Sequence, residues 1–414
     1  MRSVKLGKSG PQWAVEQGAV TAGKQAQFSS ILISFSALVS SWTGLAVQGI
    51  NVADVALALT VLAVVASWVF RRRKLHIKFW MIAPLIGVLI ATAFSVIGLG
   101  QPIGSSGDFA VRAFLSMTIV AIAVLSERDS YGLQRMRELL GWWAAGVALS
   151  ASAAVLSNAG LVDLTNIVDA PLAGARAVGL AFHPNSLAFS LVIAVPVQMF
   201  IFVTAVRQRA KWAALIGFAL CIAALVAADS RSGLGIGLVV GVLSIAAALR
   251  IGRARWLSLP IALLGLVAIA VWVLPLLGQT RLGVGAGSAS DVVRAEYNGR
   301  AWRTISEHPF LGTGVTGMEG VSIPLNLLTV GGFVFAALYY TFVFAGSAPI
   351  WRSYPSATFI YGGFVLASIL GFGINGNGAF ERATFWPLLL IAGIAAASPP
   401  PSRRAKALPA RIGR

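Results

Sequence analysis

Residues 184–206 read PNSLAFSLVIAVPVQMFIFVTAV, a stretch without a single charged side chain. The hydrocarbon core of a bilayer is about 30 Å thick, and a helix needs roughly 20 apolar residues to cross it. Because lipid offers no hydrogen bonds, the backbone of such a segment must satisfy its polar groups internally. The stretch therefore predicts a membrane-spanning helix.

The rest of the chain has the same character. Of its 414 residues, 57% are hydrophobic and 11% are charged, whereas soluble domains carry about 25% charged residues. This composition excludes a globular protein with a water-facing surface, and it predicts an all-α polytopic membrane protein with about twelve transmembrane helices. The candidate segments are residues 29–48, 51–70, 79–98, 109–126, 140–158, 184–206, 212–228, 233–249, 257–277, 323–345, 356–373 and 384–398.

Basic residues divide unevenly between the two sides of this predicted topology. With both termini in the cytosol, 24 of the 32 Lys and Arg lie inside and 8 outside, which is the bias that orients membrane proteins. We therefore predict a multi-pass protein of the plasma (inner) membrane. Residues 1–28 and 399–414 form cytosolic basic tails around a transmembrane domain of residues 29–398. The net charge of +18 is then topological, so the expected partners are membrane lipids and not nucleic acid.

Two predicted outer loops are long, residues 159–183 and 278–322. Loops of this length in a compact domain are usually functional. Within the larger loop, the stretch from Asp291 to Glu307 holds good helix formers and stops before Pro309. It predicts a short helix on the outer membrane surface.

Three polar motifs fall at these outer positions. The first runs Arg176-Ala-Val-Gly179-Leu-Ala-Phe-His183-Pro184-Asn185 directly into a span. The second, Asp229-Ser230-Arg231-Ser232-Gly233, interrupts two spans. The third is Asn298-Gly299-Arg300-Ala-Trp302 followed by His308-Pro309-Phe-Leu-Gly312-Thr-Gly314. Arginine is suited to phosphate groups because its planar fork binds two oxygens at once.

In this order and with these membrane contexts, the motifs resemble the O-antigen ligase and O-antigen polymerase superfamily. Its members often combine Arg-x-x-Gly and Pro-Asn, a Ser-Arg before a span, and an Arg followed by Trp in a large outer loop closed by Pro-x-x-Gly-x-Gly. The resemblance covers roughly residues 170–345. It implies a glycosyltransferase that needs no metal or cofactor and uses a polyprenyl-pyrophosphate-linked glycan as donor. The acceptor would be a glycan or a lipid.

The resemblance also implies that Arg176, Arg231 and Arg300 bind the pyrophosphate of the donor. Arg303, His183 and Asn185 are further candidates for substrate binding. Ligases of the superfamily usually carry a His-Asn where the large loop enters the next span. Here residues 322–332 read SIPLNLLTVGG, without a histidine. This departure favours a polymerase or a divergent transferase over a ligase.

Glycosyl transfer needs a group that accepts a proton from the acceptor hydroxyl. His308 and Asp229 are the predicted catalytic residues, and His308 is preferred because an imidazole titrates near neutral pH. His183, Glu307 and Glu381 also lie on the predicted outer side. A metal centre is not expected, because the chain has one cysteine and three widely separated histidines.

Structural roles compete with these assignments. Helical spacing would let Arg300 pair with Glu296 and Arg303 with Glu307. Three more local roles follow from sequence neighbours: Arg231 paired with Asp229, Asp54 as a helix cap, and Arg382 paired with Glu381 in a solvated turn.

Two other classes of protein compete with the enzyme. A twelve-span secondary transporter would show repeated halves and charged groups buried within spans, whereas this sequence shows no repeat and its charges avoid the span centres. A non-catalytic membrane scaffold would have no need of arginines in these motifs.

Overall fold

A computed structural model describes residues 28–47, 50–71, 77–100, 110–170, 176–252, 255–273, 289–314, 322–376 and 381–398. Residues 1–27 and 399–414 of the two predicted basic tails lie outside these residues, as do Arg281 and residues 278–288 of the large loop. Within them the protein is almost entirely helical. Two short strands, β1 (Ala46–Val47) and β2 (Ile50–Asn51), form an antiparallel pair.

Twelve helices follow one another along the described chain. They are α1 (Phe28–Val39), α2 (Val52–Arg71), α3 (Phe79–Gly98), α4 (Ala110–Asn158), α5 (Pro184–Thr204), α6 (Gln208–Ala227), α7 (Arg231–Ile251), α8 (Ser258–Val271), α9 (Ala289–Glu307), α10 (Ile323–Arg352), α11 (Ala357–Asn375) and α12 (Phe385–Ala397). Eight of these are long and apolar enough to cross a membrane, namely α2 to α7, α10 and α11. The chain is therefore an all-α membrane protein. Each predicted segment coincides with a helix, but α1, α8 and α12 are shorter, so twelve crossings stays a prediction.

The longest helix, α4, contains two of the predicted segments. They are separated by a bend at Gly132, where φ is 68°, a value that glycine adopts at little cost. The residues between these two segments are helical on both sides of Gly132, and at Gly132 itself the chain departs from helical geometry. Arg135 follows the bend and donates from Nε to Glu127 at 2.7 Å and from Nη2 to the Ser30 carbonyl at 2.6 Å. These contacts fasten the start of α1 to α4.

The two ends of the described chain lie at the same end of the bundle. Ser30, near the start of α1, donates to Glu127 at 3.0 Å. Gly393, near the end of α12, lies against the Met136 side chain. Both contacts are made near the Gly132 bend.

The centre of the bundle is α5, the stretch with which the sequence predicted the fold. Its apolar window is 78% buried, the highest fraction among the candidate spans of the described residues. It packs against α4, α6, α7 and α11. Phe189 stacks on Phe372 of α11 with ring centroids 4.7 Å apart, and Gln198 donates to the Ala144 carbonyl of α4 at 3.1 Å. A helix surrounded in this way holds its N-terminal residues in a fixed position.

Candidate functional site

The first motif lies across the end of α4. Gly179 has φ of 56°, and an added Cβ would overlap the Ser150 carbonyl. Leu180 donates its N–H to Ser150 Oγ at 3.0 Å and accepts from the Gly44 N–H at 2.9 Å. Glycine is needed here because the backbone is both left-handed and in direct contact with a neighbouring helix. These contacts fix the path of the chain between Arg176 and His183.

His183 and Asn185 form the start of α5. His183 is the N-cap residue, and its Nδ1 accepts the Asn185 N–H at 3.0 Å. Pro184 occupies the first turn, where the missing N–H costs nothing. Arg176 donates from Nη2 to Asn185 Oδ1 at 3.4 Å. Three predicted substrate-binding residues, Arg176, His183 and Asn185, are therefore brought together.

Burial lowers the pKa of His183, and the nearby Arg176 guanidinium lowers it further. The imidazole is therefore neutral at pH 7. Because Nδ1 accepts a hydrogen bond in the cap, the proton of the neutral ring is assigned to Nε2. His183 is then a hydrogen-bond donor at Nε2 and not a base.

Ser186 links this cluster to the start of α12. Its hydroxyl donates to Glu381 Oε1 at 2.8 Å, and Glu381 is half-buried. In the described part of the chain, no Lys or Arg forms an ion pair with Glu381. The Glu381 carboxylate is thus held by Ser186, the residue after Asn185, and it has no Lys or Arg partner among the described residues.

The expected pairing of Arg382 with Glu381 is wrong. Arg382 is only 6% exposed, and it pairs with Asp54 of α2 through Nε and Nη2, at 2.7 Å each. Asp54 is accordingly not the cap of α2. That role belongs to Asn51, whose Oδ1 accepts the Asp54 N–H at 2.8 Å.

The second motif adjoins the first. Ala177 donates its N–H to the Ala227 carbonyl at 3.2 Å, at the end of α6. Asp229 then turns the chain with φ of 47°, and Ser230 caps α7 by accepting the Gly233 N–H at 3.4 Å. Arg231 is the first residue of α7 and is exposed.

Gly233 brings the two helix starts into contact. A Cβ at Gly233 would lie 2.7 Å from the Cβ of Ala188 in α5. The N-terminal turns of α5 and α7 are therefore neighbours, and each has an arginine near its start.

The third motif is carried by α9, which the sequence correctly predicted as a helix. Arg300 lies 3.8 Å from Glu296 and its guanidinium carbon is 4.5 Å from the centre of the Tyr297 ring. Its side chain is 40% exposed. Arg303 is exposed and, within the described chain, forms no ion pair with Glu307. Among the described residues, α9 makes its main helix contact with α10, through Ala301 and Ile305 against Leu325.

The residues after α9 close a gap in α10. Gly331 and Gly332 interrupt α10, with φ of 61° at Gly332. The freed backbone groups pair with the preceding loop. Thr313 and Gly314 donate to the carbonyls of residues 329 and 330, and residues 333 and 334 donate to those of residues 309 and 310. The Pro-x-x-Gly-x-Gly part of the motif is thus structural in this protein.

His308 directly follows α9, and its carbonyl accepts the Gly312 N–H at 3.0 Å. Its side chain is half-buried. The structure groups the first two motifs, whereas the third lies on α9 and at the break in α10.

Asn326 is a residue that the sequence reasoning missed. It is 4% exposed, and both Oδ1 and Nδ2 are buried without a hydrogen-bond partner in the described chain. A buried carboxamide without partners is costly. The sequence offered one signal, an asparagine in the stretch where ligases carry His-Asn.

In the part that the structure describes, no three His, Cys, Asp or Glu residues are placed to hold a metal ion.

Comparison with known proteins adds no relative from which a role could be transferred. The chain matches no protein-family model, and no curated protein matches it significantly.

Proposed function

We propose that the protein is a membrane glycosyltransferase that polymerises or transfers a polyprenyl-pyrophosphate-linked glycan. The observation that carries the proposal is the contact between the starts of α5 and α7, each with an arginine beside it, Arg176 and Arg231. The N-terminal end of a helix has a partial positive charge and favours phosphate. Two such ends with two guanidinium groups suit a pyrophosphate, which carries charge on two linked phosphates.

The proposed reaction needs little more than charge stabilisation and one proton transfer. The acceptor hydroxyl attacks the anomeric carbon of the donor sugar and forms a new glycosidic bond. The bond between that carbon and the pyrophosphate oxygen breaks, and the polyprenyl pyrophosphate leaves with the electron pair. Arginines near the leaving group stabilise its developing charge, and Nε2–H of His183 is a further donor in the same cluster.

His308 and Asp229 remain the proposed proton acceptors. Glu381 joins them because Ser186 holds its carboxylate beside the Arg176 cluster, whereas His308 lies on α9. Replacing each in turn by Gln, Asn or Ala separates the candidates. The proton acceptor should be the residue whose loss lowers turnover while donor binding is retained.

Arg300 and Arg303 remain proposed donor ligands from the large outer loop. Arg300 is partly engaged by Glu296 and Tyr297, so donor binding would have to compete with these contacts. Asn185 is proposed to orient Arg176 through their hydrogen bond.

We further propose that the site faces the outside of the plasma membrane and that both termini are cytosolic, as the charge bias favours. Leu161 and Val206 are 73% and 91% exposed and lie in different connections. The native Cys221 is buried. In intact cells, an impermeant thiol reagent should label Leu161→Cys and spare Val206→Cys. The reverse labelling pattern would overturn the orientation.

The broken helix α10 gives the transporter hypothesis some support, because transporters often bind ions at such breaks. Here the freed groups at Gly331 and Gly332 are already occupied by the loop of residues 309–314. The observation therefore favours a structural break over an ion site.

The decisive experiment incubates purified protein with lipid-linked oligosaccharide and separates the products by size. A ladder or a transferred glycan supports the enzyme. Protein that yields no product, but moves the lipid-linked glycan across a vesicle membrane, would support the transporter and overturn the proposal.

A further inference from the structure

A cavity of about 780 Å³ lies beside Arg176, between the end of α4 and the loop of residues 164–170. Its volume is within the range of about 300–1,000 Å³ that is common for small-molecule sites. Its polar lining consists of Ser157, Asn158, Thr165, Asn166, Asp169 and Arg176. We call this cavity the polar pocket. Arg176 lines it and also donates to Asn185, so the polar pocket borders the proposed pyrophosphate position.

The floor of the polar pocket is fixed by packing and by backbone hydrogen bonds. Leu164, Val168 and Val178 form a small hydrophobic cluster separate from the main core. The Asp169 N–H donates to the Gly44 carbonyl at 2.8 Å, and the Gly44 N–H donates to the Leu180 carbonyl at 2.9 Å. A loop held in this way presents its side chains with little further loss of conformational entropy on binding.

Three polar side chains of the pocket are exposed at its surface. Among the residues that the structure describes, the side chains of Asn158, Asn166 and Asp169 make no hydrogen bond. The Thr165 hydroxyl donates to Asp163 at 2.7 Å and keeps its capacity to accept. Carboxamides donate and accept, and a carboxylate accepts. A ligand dense in hydroxyl groups would satisfy this set, whereas an apolar chain would not.

We propose that the polar pocket is a sugar subsite that binds the glycan of the donor next to its pyrophosphate. The inference rests on the proposed function, and it names the part of the substrate that occupies a second region of the site. The geometry follows from the donor itself, because the first sugar is bonded directly to the phosphate. With the phosphates at Arg176, that sugar extends into the polar pocket.

The test compares binding of three ligands to the full-length protein in detergent: polyprenyl pyrophosphate, the same lipid bearing an oligosaccharide, and the free oligosaccharide. Asn158→Ala and Asn166→Ala should each weaken binding of the glycan-bearing lipid about tenfold and leave the bare lipid unchanged. Arg176→Ala should weaken both lipids. Gln134→Ala is the matched control, since its carboxamide is exposed near the Gly132 bend and its loss should change nothing.

Each outcome decides a different point. Unchanged affinity for the glycan-bearing lipid in both Asn variants would overturn the sugar subsite. Equal affinity of the wild-type protein for the two lipids would overturn it as well. An effect of the Asn variants on the free oligosaccharide alone would assign the polar pocket to the acceptor and overturn its donor role. Failure of the wild-type protein to bind either lipid would instead overturn the proposed function.

Discussion

Arg382 and Asp54 form a two-pronged ion pair, with both arginine–carboxylate distances at 2.7 Å, across 328 residues of sequence. The pair joins the start of α12 to the first turn of α2 and leaves Glu381 to accept from Ser186. The arginine side chain is 7% exposed and the aspartate 29%. Removing one partner would leave the other charge poorly solvated.

Arg382→Lys keeps the charge but loses one of the two charge-assisted contacts, so it should destabilise the protein by about 1.5 kcal/mol. Lysine cannot reproduce the two parallel contacts. Thermal unfolding in detergent measures the effect. Asp129→Asn is the control, because its pair with Arg128 is more exposed and should contribute little. Equal unfolding midpoints for Arg382→Lys and wild type would contradict the prediction.

Arg176→Lys and Arg231→Lys should each lower glycan transfer about tenfold to hundredfold, since one point charge replaces a planar fork on the leaving group. Arg300→Lys should have a smaller effect because Arg300 is 40% exposed. Arg209→Lys is the control, an exposed residue in the first turn of α6.

The assay for these arginine variants compares product formation at matched expression and unchanged thermal stability. Wild-type rates of glycan transfer in all three variants would contradict the proposal that these arginines bind the pyrophosphate. A loss of stability without a change in specific activity would give these arginines a structural role.

His183 makes stability depend on pH. Its pKa is lowered from 6.5 by burial and by Arg176, so between the two pKa values the unfolded chain binds more protons than the folded one. The contribution of His183 to stability is therefore fully present above pH 6.5 and is lost as the pH falls below this value.

His183→Asn keeps a capping acceptor and should remove this part of the pH dependence between about pH 7.5 and pH 5.5. His183→Ala should cost about 1 kcal/mol at the higher pH through loss of the cap and less at the lower pH, where the wild type has itself lost stability. Unfolding midpoints of the wild type and both variants, measured at the two pH values, test these expectations. If His183→Asn retains the whole acid sensitivity of the wild type, the sensitivity arises elsewhere.

Gly332→Ala should destabilise the protein, because φ is 61° and an added Cβ would overlap the Phe310 carbonyl. The left-handed conformation alone costs about 1–2 kcal/mol. Gly363→Ala is the control, since an added Cβ meets nothing within 4 Å in α11 and alanine favours a helix. The two unfolding midpoints should move in opposite directions, and a neutral Gly332→Ala would mean that the break is not constrained.

Asn326→Leu should raise stability and lower activity. The substitution removes a buried carboxamide whose two polar atoms are unpartnered in the described chain, and a buried polar group without partners is unfavourable. A residue retained at that cost is expected to serve function. Unchanged glycan transfer in a stabilised variant would show that Asn326 has no role in the reaction.

The helices were predictable because their apolar lengths match a bilayer, as residues 184–206 illustrate. The bend at Gly132 could not be predicted, because Arg135 and Glu127 meet each other and α1 only in the folded protein. Arg176 and Asn185 were predicted as substrate-binding residues of one motif, and their hydrogen bond is visible only in the structure. The partner of Arg382 could not be predicted. The adjacent acid Glu381 suggested a local ion pair, whereas the true partner, Asp54, is distant in sequence.

The polar pocket also could not be predicted from the sequence. Its lining comes from the end of α4 and from a loop whose shape depends on Gly44. Residues that meet only after folding leave no periodic pattern along the chain.

The backbone pairing across the break in α10 has a mechanical consequence. Hydrogen bonds on both sides of Gly331 and Gly332 tie the end of the α9 segment to two successive parts of α10. Ala301 and Ile305 add a side-chain contact to Leu325 on the near part. A shift of α10 along its axis would therefore carry α9 and Arg300 with it.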